Sequence, residues 1–247
     1  MKKLNSNHLK IIAIIAMTID HLADLLYPNM QNSIVPIVLH IIGRVTAPIM
    51  FFFICEGYHY TKNLKKYIAR LFIFAIISHF AYCFAFGINY IPFTTGSVFN
   101  QTSIMWSLAW AVVALYVANG NNQLKEYQKW ILVILINVIA FPADFSSIAV
   151  MSILTMYSNR GNLNKQMRSM MMWLSLYALI SFIFVNKTYG VISLFAILVY
   201  PLLKNYNGER GKAKWLKWFF YLYYPLHLII IGILRITMYD NVPILFN

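Results

Sequence analysis

Asp20, His21 and Asp24 stand close together in an otherwise apolar stretch that runs from Leu9 to Tyr27. An imidazole can take and return a proton near neutral pH, and a carboxylate beside it can orient or balance it. Three ionisable groups at such spacing are costly inside an apolar helix unless they serve a purpose. Asp20 and Asp24, four residues apart, share one helix face, whereas His21 is turned from Asp20 by about 100°. Asp20 can therefore pair with a cation on another helix while His21 faces a reacting group.

Arg44 is the natural candidate for that cation. It lies roughly 12 Å along a helix that begins near Pro36, at 1.5 Å per residue, so it must face the protein interior and have a partner there. His79 and His227 fall at about the same depth as His21, each about twelve residues into its own apolar segment. Equal depth is the geometry that a shared polar cavity requires. The bland alternative for His79 and His227 is a single bond to a neighbouring helix, which contributes about 1 kcal/mol. Glu56, in the run Phe51-Phe52-Phe53-Ile54-Cys55-Glu56-Gly57-Tyr58, has two readings: an ion pair with a lysine of the following basic loop, or a ligand contact. His40 and His59, near the ends of this segment, are assigned to the interface without chemistry. Arg235 is expected to snorkel from the end of the last apolar segment, and Pro48 to kink the second one.

The elements that must position these groups follow from composition. Of 247 residues, 60% are hydrophobic, 17% aromatic and only 11% charged. Soluble domains carry about 25% charged residues, so a chain this apolar reads as an all-α, polytopic membrane protein. It is treated as one domain over residues 1–247. Nine apolar segments are expected over 9–27, 35–56, 67–87, 99–119, 128–141, 145–157, 169–186, 188–204 and 215–236. The fifth and sixth are short and flank Pro142, so they predict either a re-entrant hairpin or two steep half-length helices. Asp20, His21 and Asp24 argue against a cleaved signal peptide and for a retained first span.

Loop charge alternates along the chain. One set of loops holds Lys2, Lys3 and Lys10; Lys62, Lys65, Lys66 and Arg70; Lys125 and Lys129; Arg160, Lys165 and Arg168; and Lys204, Arg210, Lys212, Lys214 and Lys217. The other set, around Pro28, residues 88–98, Pro142 and residues 186–188, holds Lys187 alone. The positive-inside rule then predicts a cytoplasmic N-terminus and an outer C-terminus, in a multi-pass protein of the cell membrane. The net charge of +13 therefore suits an anionic inner leaflet, and its distribution argues against nucleic acid as a partner. Cys55 and Cys83 read as packing residues, and no spacing of His, Cys or carboxylates predicts a metal.

Several motifs together carry a resemblance. They are Leu9-Lys10-Ile11-Ile12-Ala13 with Thr18-Ile19-Asp20-His21, Ile42-Gly43-Arg44-Val45-Thr46-Ala47-Pro48, and Phe53-Ile54-Cys55-Glu56-Gly57-Tyr58. To these are added Thr61-Lys62-Asn63 with Lys66-Tyr67 and Arg70-Leu71, and Trp218-Phe219-Phe220-Tyr221 with Tyr224-Pro225-Leu226-His227. In content and order the chain resembles TraX proteins, a family named for acetylation of the N-terminus of conjugative pilin. That family is in turn similar to membrane acyltransferases of the acyltransferase-3 type. In those enzymes a basic residue at the inner end of the first helix precedes the histidine required for transfer by eleven positions. Lys10 and His21 have that spacing, with lysine where arginine is usual; lysine is a point charge rather than a bidentate fork.

The resemblance implies acetyl-CoA as co-substrate on the inner side and an acceptor on the outer side, either pilin or another envelope peptide or glycan. It implies His21 as general base, with Asp20 and Arg44 in the catalytic group. Lys10, Glu56, Tyr58, His79 and His227 would then serve donor or substrate binding. Arg44 or His227 could either stabilise the oxyanion or orient His21. The rival expectation is a transporter or pilus-assembly protein without chemistry, its buried His and Arg forming a polar path. The absence of a visible inverted repeat weighs against a transporter.

Overall fold

Long apolar runs punctuated by Pro, Gly and Asn give helices and little else. The structure, a computed structural model, describes residues 3–28, 33–94, 98–120, 122–213 and 215–240. Lys2, Lys214 and residues 95–97 of the loops discussed above lie outside the described residues, as does the Lys217 side chain. Of the described residues 77% are helical, and they contain no strand. The helices are α1 (Ser6–Leu26), α2 (Ile34–Gly43), α3 (Thr46–Tyr60), α4 (Leu64–Phe86), α5 (Ile104–Asn119) and α6 (Glu126–Ala140). They continue with α7 (Ser146–Ser158), α8 (Leu163–Phe184), α9 (Lys187–Ser193), α10 (Val199–Lys204) and α11 (Leu216–Tyr239).

Each of the nine apolar segments corresponds to helix. Among the described residues, five stretches are long and apolar enough to cross a membrane: Ile34–Tyr60, Leu64–Phe86, Leu163–Phe184, Lys187–Lys204 and Trp218–Tyr239. The 21-residue α1 has the length but carries Lys10, Asp20 and Asp24. The expected short pair is present as α6 and α7, which pack on one another and on α5.

Two local departures have a common cause. The second segment breaks at Arg44 and Val45, not at Pro48. A proline ring clashes with the carbonyl four residues before it and offers no N–H, so Pro48 ends the preceding helix at Arg44 and is itself accommodated in the first turn of α3. Likewise Pro201 follows a 3-10 stretch, Leu194–Leu198, that joins α9 to α10.

The chain forms two compact units. One comprises the chain up to Met50, Phe84–Gly87 and the chain from Leu174 on; the other comprises Phe51–Cys83 and Ile88–Trp173. In the first, α1 packs against α2 and α11, and α2 against α9. The α1 N-terminus is closed by Asn5, whose side chain accepts from the His8 amide at 3.0 Å. Backbone bonds from Leu4 to Asn205 and from Ser6 to Glu209 tie it to the loop before α11. Alanines 13, 16 and 23 lie on the buried face of α1, where small side chains let helices approach, while Ile11 and Ile15 are exposed. In the second unit α5 is largely buried against α6 and α7, with Trp106, Trp110 and Val113 half-buried along one side and Tyr116 exposed.

Polarity is inverted relative to a soluble protein. Large apolar residues such as Ile15, Ile134, Phe184 and Leu226 are exposed, whereas Arg44, His40, His227 and Arg235 are buried. With five apolar helical stretches of spanning length, this is the pattern of a membrane protein, in which lipid takes the apolar surface and polar groups turn inward.

Candidate functional site

The helix break at Arg44 is what builds the site. Because α2 stops there, the Arg44 side chain lies against α1 and its guanidinium meets Asp20, with one Nη2 donating to Oδ1 at 2.9 Å and Oδ2 at 2.7 Å. Nη1 donates to the Tyr189 hydroxyl at 3.0 Å and Nε to the His40 carbonyl at 3.3 Å. The Tyr189 ring, at the start of α9, also lies under the guanidinium, 4.9 Å from its centroid.

His40 completes this cluster and corrects its expected interfacial position. It is only 1% exposed, and its Nδ1 donates to Asp20 Oδ1 at 2.8 Å. Its Nε2 lies 3.8 Å from Asp24 Oδ1. The signal was available in the sequence, since His40 precedes Arg44 by four residues and so shares its helix face. Two carboxylates thus face an arginine and a histidine, which is how buried charge is tolerated.

Gly43 permits the approach of α2 to α1. A Cβ at this position would collide with the Asp20 side chain. Gly43→Ala is therefore expected to lower stability by about 1–3 kcal/mol, the range for overpacking. Thermal unfolding of the detergent-purified protein checks this, and an unchanged midpoint would contradict the close packing.

His21 turns away from the carboxylate cluster, as the helix geometry predicts, and meets α11. Its Nδ1 lies 2.8 Å from His227 Nε2, and the two rings are within 6° of parallel. The other nitrogen of His227, Nδ1, lies 3.0 Å from the Tyr223 carbonyl. A carbonyl can only accept, so His227 Nδ1 carries its proton and, in the neutral ring, Nε2 is a lone-pair acceptor. His21 Nδ1–H must then donate to it. The second nitrogen of His21, Nε2, is left with its lone pair, and among the described residues it has no hydrogen-bond partner. A backbone carbonyl on α11 thereby sets the tautomer of an imidazole on α1.

A second contact one turn earlier reinforces this pairing. Thr18 Oγ1 lies 2.8 Å from the Ile14 carbonyl and 2.7 Å from the Tyr223 hydroxyl. Its single proton goes to the carbonyl, so Tyr223 O–H donates to Thr18. The Tyr223 ring runs parallel to that of His227 at 5.4 Å. Thr18 with His21, and Tyr223 with His227, are the i,i+3 and i,i+4 pairs through which two helices meet twice along one seam.

The remaining expected site residues do not join this cluster. His79 belongs to the second unit, where it bonds Thr102 Oγ1 at 3.0 Å and the Tyr90 carbonyl at 2.8 Å, both in the segment between α4 and α5 rather than on a neighbouring helix. Glu56 pairs with Arg160 at 2.9 Å rather than with a lysine of the 62–70 loop. Burial opposes the charge on Arg160, but the bonds to Glu56 outweigh it and hold the guanidinium above its usual pKa. The Tyr58 ring meets that of Tyr157 edge-on. Lys10 is half-buried, about 16 Å before His21 along α1 at 1.5 Å per residue. His59 is exposed. Arg235 does not snorkel: it is 2% exposed and donates to the carbonyls of Phe84 and Ala85. No group of three potential metal ligands occurs among the described residues.

Comparison with known proteins bears on what this site belongs to. No solved structure matches the chain. A protein of Dichelobacter nodosus described as a probable fimbrial assembly protein, FimC of serogroup H1, is 30% identical over 231 residues, covering 90% of this chain and 92% of that protein. An uncharacterized protein of Rickettsia prowazekii (strain Madrid E) is 38% identical over 69 residues, which cover 28% of this chain and 23% of the relative. The family model for the TraX protein matches residues 5–235, a range that contains every member of the two clusters on α1. The chain belongs to the TraX family.

Proposed function

We propose that the protein is a membrane acetyltransferase that passes an acetyl group from cytoplasmic acetyl-CoA to an amine or hydroxyl on the outer side. The observation that carries this reading is the free lone pair of His21 Nε2, fixed by His227 and the Tyr223 carbonyl. An imidazole so held is a ready general base. Nε2 takes the acceptor proton as the acceptor oxygen or nitrogen attacks the thioester carbonyl. The new C–O or C–N bond forms, the C–S bond breaks, and the imidazolium returns the proton to the departing thiolate, giving free CoA.

His227 is the positioning residue in this scheme. Arg44 is bound on three sides by Asp20, Tyr189 and the His40 carbonyl, so its role is to hold α1 and α2 in register rather than to meet the oxyanion. In the proposed topology nine segments cross or enter the membrane with the N-terminus inside. Lys10 and the lysine-rich loops then face the CoA phosphates. The acceptor is a pilin N-terminus or another envelope peptide or glycan.

A second reading, a pilus-assembly protein without catalysis, is favoured by the Dichelobacter relative, described as a probable fimbrial assembly protein. Equilibrium binding of labelled acetyl-CoA to the purified chain separates the two. Binding that weakens in Lys10→Ala supports the enzyme; no binding at all leaves the assembly role.

A further inference from the structure

Arg235 lies outside both polar clusters, yet it is among the largest fully buried side chains. It sits two turns beyond His227 on the same buried face of α11, with Leu228 and Ile231 between them. Its Nε–H donates to the Ala85 carbonyl at 3.0 Å, and Nη2 donates to the Phe84 carbonyl at 3.1 Å. Both carbonyls belong to the last turn of α4, where the helix has no N–H of its own to offer. The carbonyl before them, that of Cys83, is taken by the Ile88 amide. A cation at a helix C-terminus is favoured by the helix dipole, and a guanidinium brings several donors in a fixed plane. Gly232, one turn earlier on α11, lets Phe84 approach, since a Cβ there would strike the Phe84 ring. Helix α11 therefore grips the end of α4 at two adjacent points.

The residue immediately after the two gripped carbonyls is Phe86. It is buried, and its ring meets the His21 ring edge-on, with centroids 5.7 Å apart and planes at 80°. The bond from His21 Nδ1 to His227 fixes one atom of the imidazole, which leaves the ring able to swing about that bond, because χ2 of histidine is a broad torsion. A second contact on another part of the ring removes this freedom. The geometry points to Arg235 as a positioning residue for His21, acting through the last turn of α4 and the Phe86 ring to aim Nε2. The inference rests on the reading of His21 as the base.

The test uses the full chain in detergent and the variants Arg235→Met, Arg235→Lys and Phe86→Leu. The first readout is the rate at which diethyl pyrocarbonate acylates His21, followed by peptide mass spectrometry, which requires no knowledge of the reaction. With Phe86 displaced or removed, His21 is expected to react at least about threefold faster in Arg235→Met and Phe86→Leu, and at nearly the wild-type rate in Arg235→Lys, which keeps a cation at the α4 terminus. The second readout is turnover per folded molecule. Here kcat is expected to fall about tenfold in the first two variants while KM for acetyl-CoA stays within about twofold, the signature of a misplaced base rather than of lost binding. An unchanged His21 rate in Phe86→Leu overturns the proposal even if Arg235→Met fails to fold. So does an Arg235→Met protein that folds with a wild-type His21 rate. Absence of acetyl transfer in the wild type would instead remove the enzyme reading and leave the His21 rates to decide the positioning role.

Discussion

Replacing His21 with Asn is expected to lower acetyl transfer by about 10²–10⁴-fold, the usual contribution of a positioned general base. Asn keeps a donor toward His227 Nε2 but has no basic nitrogen, so the variant isolates proton transfer from packing. The measurement is the initial rate of free thiol release from acetyl-CoA, normalised to folded protein. His227 variants extend the prediction. His227→Ala removes the acceptor that fixes the His21 tautomer, whereas His227→Gln can still present a carbonyl oxygen to His21 Nδ1–H. Activity should therefore be higher in His227→Gln than in His227→Ala. Equal activity in the two would mean that the bond from His21 to His227 does not set the protonation of the base.

The second large effect concerns stability. Arg44→Leu leaves the Asp20 carboxylate without its strongest partner, and Asp20→Leu leaves both Arg44 and His40 with unused donors. Breaking one side of a buried pair costs about 3–5 kcal/mol, chiefly because the survivor is stranded. The double variant Asp20→Leu/Arg44→Leu strands less charge and should lose clearly less than the sum of the single variants. Unfolding free energies of the three proteins in mixed detergent form the cycle that measures this. Additivity within about 0.5 kcal/mol would show that the pair does not act as a unit.

The parts of this site that sequence reasoning reached were those marked by charge in apolar helices. Asp20 opposite Arg44 followed from helix faces, and His21 near His227 followed from equal depth, because ionisable side chains inside a membrane must find one another. The helical segments were legible because each is an apolar run bounded at one end by a basic loop. Nearness to the segment's end points His40 to the interface, whereas its i,i+4 relation to Arg44 is what decides its place beside Asp20. Arg235 is buried because its partners are backbone carbonyls of another helix, which no pattern of side chains reveals. Phe86, Tyr189 and Tyr223 escaped notice in a chain that is 17% aromatic, where one ring beside a histidine cannot be told from a dozen that merely pack. His79 shows the converse. Depth alone gave it a place beside His21, whereas Thr102 and the Tyr90 carbonyl satisfy it within its own unit.

The helix break follows the same lesson. Pro48 was visible, but its effect falls four residues earlier, on the carbonyl that its ring excludes. That offset places the end of α2 at Arg44 and so decides which way the guanidinium points. The break is thus a structural precondition for the Asp20 pair, and the Asp20 pair in turn holds the stretch of α1 that carries His21.

The most direct test of acetyl transfer through His21 uses inside-out membrane vesicles that carry either the wild-type chain or His21→Asn at equal levels. Isotopically labelled acetyl-CoA is supplied outside the vesicles, on the face that was cytoplasmic, and the label is followed by mass spectrometry into the peptides and glycans of the vesicles. The account predicts labelled acetyl groups with the wild type and their loss with His21→Asn; equal labelling by the two proteins would contradict it.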